Sequence, residues 1–312
     1  MLPNWNTGRK PADGEQGLSE VIGFVLILGL IVIFITLWMT YVVPAEGREN
    51  EIQHMNDVRD WFTQYKITLD SLWINNGDDT LTGMTISNSL TLGSQGGATQ
   101  AGGFYMPLMK PIGSTGGLAV VNKSDRISIK VNNEIIVPNL YLGALEFNAS
   151  NYYWISQTFY YQMGGVFLRQ EGGTVARVAP LVGLTNYNGT IDFDITLARI
   201  QESGLVSMSG QGPVRVDTRL DTASDSTLYT GSNVTVTLNL SDSNAAIAWE
   251  TILKEIRSSR RVPTPSTNAT HHCDIYRTGS NVTMYVRASP VRLTVFPANY
   301  TVSLQSIATG VT

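Results

Sequence analysis

The chain has 312 residues, of which 15% are charged, and its net charge at pH 7 is −4. This length is enough to bury a substantial core, and the low charge without a basic patch argues against nucleic-acid binding. The single cysteine, Cys273, excludes an intrachain disulfide, and the lack of a CxxCH motif excludes covalently attached haem.

A short polar leader precedes an uncharged run of 23 residues from Val21 to Val43. As a helix this run is about 34 Å long, which is enough to cross a hydrocarbon core of about 30 Å. The one plausible small-residue cleavage site, Gly17, precedes the apolar run, whereas in a secretory signal the cleavage site follows it. Cleavage there would leave the apolar helix at the start of the mature chain.

Several residues of the run bear on its role. Trp38 and Tyr41 stand near its end, where amphipathic rings favour a membrane interface. Gly23 and Gly29 leave room for a neighbouring helix, and Pro44 predicts a kink or local loosening. Hydropathy by itself fits a plain single-pass anchor as well as an assembling helix.

The pattern after Pro44 predicts an amphipathic stalk helix over residues 44–75. Apolar residues recur there at spacings of three and four, as on one face of a helix. They are Ile52, Met55, Val58, Phe62, Tyr65, Leu69 and Trp73. The opposite face is predicted to carry Glu51, Asn56, Asp57, Arg59, Asp60 and Lys66. The turn sequence Asn75–Asp79 ends the helix, so the two halves form one continuous or kinked helix from about Leu18.

Short β-branched and aromatic segments fill the remainder, residues 76–312. The predicted strands are Leu81–Leu92, Arg126–Val137, Tyr152–Gln162, Thr190–Ile200, Val214–Leu220, Asn233–Leu240, Asn281–Ala288, Val291–Phe296 and Tyr300–Leu304. One helix, Ala245–Ser259 with Ser243 as N-cap, interrupts them. The expected fold class is α+β: a long N-terminal helix, then a mainly antiparallel β-sandwich-like domain with one inserted helix.

The sequence contains no convincing catalytic or ligand-binding motif, and we expect neither an enzyme nor a cofactor. Adjacent residues of His271–Asp274 would point to opposite faces of a strand, so they are a poor metal site. The Asn75–Thr80 loop has oxygen ligands but lacks EF-hand spacing. The glycine-rich segments Gly93–Gly103 and Gly113–Gly117 lack a phosphate-loop ending and are predicted to be turns. No Gly-x-Ser-x-Gly elbow supports a hydrolase.

Eight N-glycosylation sequons all follow the apolar run. They begin at Asn122, Asn148, Asn188, Asn233, Asn239, Asn268, Asn281 and Asn299. Arg9 and Lys10 precede the run and three glutamates follow it, so the positive-inside rule favours a cytoplasmic N-terminus. Both observations place the β-rich region outside the cell.

The segment Gln16–Gly23 resembles the processing region of archaeal type IV pilin-like proteins. The resemblance implies a class III signal peptide, residues 1–17, removed by a prepilin peptidase between Gly17 and Leu18. It also implies a helix, residues 18–43, that packs with copies of itself or other pilins. Glu20 stands where proline is common in that family, and Gln16 where a basic residue is common.

Two roles are open for Glu20. By analogy with bacterial pilins, its carboxylate would pair with the Leu18 amine of a neighbouring subunit. Alternatively, Glu20 is an acidic residue at a helix N-terminus, where the macrodipole favours it, with Ser19 as the cap.

The expected function is therefore a structural subunit, major or minor, of a surface filament. Its expected partners are other pilins, the prepilin peptidase, the membrane before assembly, and N-glycans. The alternative is a membrane-anchored surface binding or adhesion module that does not polymerise.

Overall fold

The computed structural model describes residues 13–76, 80–94, 110–122, 124–223, 225–268 and 270–306, with side chains of the first helix described from Glu20 onward. One continuous helix comprises α1 (Asp13–Leu37), a π-helical turn (Trp38–Val42) and α2 (Val43–Ile74). A mainly antiparallel β domain follows, with one inserted helix, α3 (Ser243–Ser259). The predicted fold class is confirmed.

The described strands of the β domain form two sheets. The first six strands are β1 (Thr85–Thr91), β2 (Thr115–Val121), β3 (Arg126–Val131), β4 (Glu134–Tyr141), β5 (Ala144–Ser150) and β6 (Thr158–Gln162). The next five are β7 (Gly165–Gln170), β8 (Gly173–Val178), β9 (Val182–Tyr187), β10 (Thr190–Glu202) and β11 (Ser207–Gly210). The last four are β12 (Pro213–Ala223), β13 (Thr227–Asn239), β14 (His272–Thr278) and β15 (Asn281–Ser306).

The larger sheet has nine strands, and the long strand β15 is its centre. Its main order is β1-β12-β15-β13-β3-β4, while β10 and β14 also pair with β15, and β9 pairs with β10. Among these pairs only β10 and β15 run parallel. The smaller sheet has six strands in the order β11-β2-β5-β6-β7-β8, all antiparallel.

The smaller sheet lies between two hydrophobic cores because its side chains alternate between its faces. On one face, Phe159 and Tyr161 join Phe62 and Leu69 of α2. On the other face, Tyr160 and Phe167 join Trp249 of α3. The helix α2 is therefore one wall of a core that both sheets complete.

Several predicted strand boundaries are wrong. Arg126–Val137 is not one strand but part of the β3–β4 hairpin, because Asn132 and Asn133 adopt the left-handed conformation of a tight turn. The three strands predicted after residue 280 are the single strand β15, which several partners hold along its 26 residues.

Other elements were placed wrongly or missed. Residues 152–157 lie outside strand β6 and form a loop. The predicted turn Gly113–Gly117 partly belongs to β2, where Gly116 allows the close approach of Phe147 and of the Leu92 carbonyl. Six further strands, β5, β7, β8, β9, β11 and β14, were not predicted. The N-cap of α3 is Asp242 rather than Ser243, since its Oδ1 accepts from Asn244 N at 2.9 Å.

Candidate functional site: the apolar helix and its junction with the β domain

The apolar part of the helix is exposed from Val21 to Leu37, apart from the half-buried Gly23. Between Val21 and Val42 its exposed large hydrophobic side chains keep from 37% (Val42) to 69% (Tyr41) of their surface accessible. The helix is long and apolar enough to cross a membrane, and none of the apolar window is buried. An exposed apolar surface of this extent indicates a lipid or protein partner.

The helix passes Pro44 without a break. Proline has no N–H for the usual bond to the carbonyl four residues earlier, and its ring crowds that carbonyl. The π-helical turn accommodates this, with Val43 N donating to Trp38 O. Thr36 and Thr40 donate their hydroxyls to the carbonyls of Val32 and Thr36, both at 2.7 Å, so these hydroxyls are satisfied within the helix.

Burial of the helix begins at Val43, the last residue of the apolar run. Val42 is 37% exposed, whereas Val43 is only 5% exposed. The loop between β5 and β6, residues 151–157, contacts the helix at Gly47, Arg48 and Glu51, and we call it the collar loop. The chain therefore has no spacer between the apolar helix and the β domain.

Glu51 binds the collar loop to the helix. Its side chain is fully buried, and its carboxylate accepts backbone N–H groups from Tyr152, Tyr153 and Trp154 at 2.7, 2.8 and 2.6 Å. Three charge-assisted hydrogen bonds offset the cost of burying the carboxylate. The sequence pattern predicts Glu51 on the solvent face. That prediction is wrong, because the three backbone N–H groups stabilise the carboxylate inside the fold.

Gly47 and Arg48 complete the junction, one turn before Glu51. A Cβ atom on Gly47 would lie 2.4 Å from the Tyr153 ring, so only glycine allows this ring to pack on the helix. Tyr153 also accepts a hydrogen bond from Ile112 N through its hydroxyl at 3.3 Å. The Arg48 guanidinium lies 4.5 Å from the centre of the Trp154 ring, a cation–π contact.

Gly47→Leu should detach the collar loop, although leucine favours helices. Helix propensity alone predicts a gain of about 0.8–1 kcal/mol, but the clash must displace Tyr153. We expect faster proteolysis within residues 151–157 and a lower unfolding temperature. The matched control is Ala45→Leu, which changes an exposed position two residues earlier. Equal proteolysis of the two variants would contradict this packing role.

Polar contacts also fix α2 inside the β domain. Tyr65 Oη lies 2.9 Å from Thr218 Oγ1, and Tyr300 donates its hydroxyl to the Leu69 carbonyl at 2.7 Å. Burial raises the pKa of both tyrosines, so both stay neutral. Lys66, predicted to be solvent-facing, is buried and paired with Asp70. Burial raises the pKa of Asp70, and Lys66 opposes that rise.

The residues predicted for processing and assembly lie in the apolar half of the helix. Gly17, Leu18 and Ser19 lie within α1, which begins at Asp13, so Ser19 is not the N-cap of the uncleaved chain. Glu20 is exposed. No other part of the described chain lies within 4 Å of a Cβ built on Gly23 or Gly29, so both remain open to a partner.

The predicted sequons lie at or near the surface. Asn122, Asn148, Asn188, Asn239 and Asn281 are exposed, whereas Asn233, Asn268 and Asn299 are half-buried. Asn188 occupies the tip of the β9–β10 hairpin. In contrast, the Asn268 Oδ1 accepts a hydrogen bond from Thr270 N, and Asn299 Nδ2 donates to Thr222 Oγ1.

The cluster His271–Asp274 is held in the sheet rather than in a metal site. Strand β14 begins at His272, and both His272 and Cys273 are buried. Burial raises the pKa of the Cys273 thiol to about 12. Among the described residues no three His, Cys, Asp or Glu side chains converge as ligands. Residues 77–79 of the predicted cation loop, and residues 95–103 of the first glycine-rich loop, lie outside the described part of the chain.

Sequence reasoning missed Gly47, Glu51 and the collar loop as a junction. A signal was available, because the buried series Glu51, Met55, Val58, Phe62, Tyr65, Leu69 and Leu72 follows alternating spacings of four and three. Extending the apolar repeat one step backward from Met55 reaches Glu51. A charged residue in register with a buried face indicates a specific partner.

Comparison of the chain with protein-family models, with curated proteins and with solved structures gave no match. The class of molecule that the structure itself defines is a β domain built on the second half of a membrane-length helix. No family is assigned beyond that description.

Proposed function

We propose that this protein is a pilin-like structural subunit that is held in a membrane before assembly and then packs through its apolar helix into a surface filament. The observation that carries the proposal is the continuity of the helix. Its first half is uncovered on all sides, and its second half is a wall of the β-domain core.

A rigid connection suits a filament better than a simple anchor. A domain that needs only to stay near a membrane gains nothing from a fixed angle to its helix. In a helical assembly each subunit must present its apolar segment and its outer domain in a constant relation, because the same contacts repeat along the fibre. Two contacts maintain that relation. One is the set of hydrogen bonds from the collar loop to buried Glu51, which we call the Glu51 clamp, and the other is the packing of Tyr153 on Gly47.

Helix packing in the fibre centre would bury the apolar side chains that lipid covers beforehand. Gly23 and Gly29 would allow neighbouring helices to approach closely, as small residues do in membrane helix pairs. The β domain would form the outer surface, and the exposed sequons would face solvent. Glycan attachment and peptidase processing belong to the same proposal.

Processing offers a direct test. Mass spectrometry of surface-exposed protein should find a mature N-terminus at Leu18. Gly17→Arg should retain the leader, leave membrane insertion intact and abolish filaments, because the small residue before the bond is lost. The matched control is Gly23→Ala, a mild change that should leave processing unaffected. An intact Met1 on surface-exposed protein, or filaments from the Gly17→Arg chain, would overturn the proposal and favour a non-polymerising anchored module.

A further inference from the structure

The collar loop presents apolar side chains that the fold holds outward. Tyr152 is 64% exposed and Ile155 is 51% exposed, and the neighbouring Ile112 is 58% exposed. Glu51 fixes the loop backbone at three successive residues, Tyr152 to Trp154, and so holds the loop in this conformation. Ile112 belongs to the same patch, since its N–H donates to the Tyr153 hydroxyl.

The position of this patch along the helix identifies its partner. The apolar run ends at Val43, and the collar loop contacts the helix at Gly47, Arg48 and Glu51, four to eight residues further. Four to eight residues advance a helix by about 6–12 Å. The headgroup layer occupies roughly 5–7 Å on each side of the hydrocarbon core. When the apolar run spans a bilayer, the membrane-facing edge of the collar loop, where Tyr153 packs on Gly47, is therefore level with the headgroups.

Side-chain chemistry agrees with that depth. Aromatic and aliphatic side chains at the boundary between lipid and water are stabilised by partial burial among headgroups. Tyr41, 69% exposed, approaches the same level from the helix. The charges near the patch are of both signs, with Arg48 and Glu49 on the helix, Glu171 beside Ile155 and Lys110 near Ile112, so attraction to anionic lipid has little part in the contact.

We infer that, in the membrane-held subunit, the collar loop lies in the headgroup layer of the bilayer, with Tyr152, Ile155 and Ile112 as its lipid contacts. The inference rests on the membrane stage of the proposed function. The β domain thereby sits on the membrane surface at a fixed height. Assembly then requires these side chains to leave the lipid together with the apolar helix.

The test uses the full chain reconstituted in phosphatidylcholine vesicles, with a polarity-sensitive NBD label at single cysteines. The reporter is Ile155→Cys, and Tyr152→Cys is a second reporter. Met84→Cys is the distant control, because Met84 is exposed near the far end of α2, about 40 Å away along the helix. Ile31→Cys, within the apolar run, reports insertion. Cys273 is replaced by alanine throughout.

We expect emission from the labels at 155 and 152 to shift to shorter wavelength and to rise several-fold on reconstitution. A lipid carrying a nitroxide near the headgroup end of its acyl chain should quench both labels but not the label at 84. A lipid carrying the nitroxide near the end of its acyl chain should quench the label at 31, which lies about 18 Å from Val43 along the helix. The signals should not change with salt concentration.

Each contrary result has a distinct meaning. Quenching at 31 without quenching at 155 and 152 would overturn the inference and leave membrane insertion intact. No quenching at 31 would remove the membrane stage of the proposed function, and the inference with it. Emission at 155 that rises with the protein-to-lipid ratio and resists lipid quenching would show a second copy on the patch, which also overturns the inference.

Discussion

Glu51→Ala should lower the free energy of unfolding by about 3 kcal/mol or more. The substitution removes the acceptor of the backbone N–H groups of Tyr152, Tyr153 and Trp154, which lie in a partly buried loop. A hydrogen bond to a charged group contributes about 1.5–3 kcal/mol, and water that reaches these N–H groups recovers part of the loss. Denaturant unfolding of the full chain in mild detergent, followed by tryptophan fluorescence, measures the change.

Two further variants separate the clamp from the loss of a charge. Glu49→Ala removes an exposed carboxylate two residues earlier and should change the free energy of unfolding by no more than about 0.5 kcal/mol. Glu51→Gln keeps one acceptor oxygen but turns an amide N–H₂ toward a backbone donor, so its effect should be intermediate. Equal unfolding midpoints for Glu51→Ala and Glu49→Ala would contradict the clamp.

Removal of α2 should prevent the β domain from folding, whereas removal of the apolar half should not. Six apolar side chains of α2 are buried in the β-domain core: Met55, Val58, Phe62, Tyr65, Leu69 and Leu72. Burial of such side chains contributes about 1.5–3 kcal/mol each, and whole domains are stable by only about 5–15 kcal/mol. A chain starting at residue 43 should therefore be a folded, soluble monomer.

A chain starting at residue 80 should aggregate or lack fixed tertiary structure. Gel filtration and near-UV circular dichroism distinguish the two truncations. A peptide of residues 43–76 added during refolding should restore structure to the shorter chain, and the same peptide with Phe62→Ala and Leu69→Ala should not. If the β domain folds without α2, the helix is not a required part of its core. That result would contradict the rigid connection between the helix and the β domain.

The helical part of the fold could be predicted from the sequence because its signals are local. The uncharged run from Val21 to Val43 and the repeat after Pro44 specify a helix that ends at Ile74, one residue from the predicted end. The strands were harder to place. β15 continues through residues 289, 290 and 297–299, which lie between the predicted strands, because four partner strands hold it in the sheet.

The junction depended on long-range contacts and could not be predicted. Tyr152–Trp154 follow Glu51 by about a hundred residues, and no local pattern links a glutamate to backbone N–H groups so far away. Lys66 is predicted on the solvent face, but it is buried. Helical spacing shows where the buried face is centred and does not show how far it extends to either side. Gly47 makes room for Tyr153 because it lacks a side chain, and no local pattern shows that a ring from residue 153 packs there.

Electron microscopy of material sheared from the surface of cells expressing the chain tests the central claim most directly. The account predicts fibres whose centre contains packed helices beginning at Leu18, surrounded by β domains, with the helix continuous from the centre into each domain. Single chains that retain residues 1–17 in the membrane fraction, with no fibres on the cell surface, would contradict it.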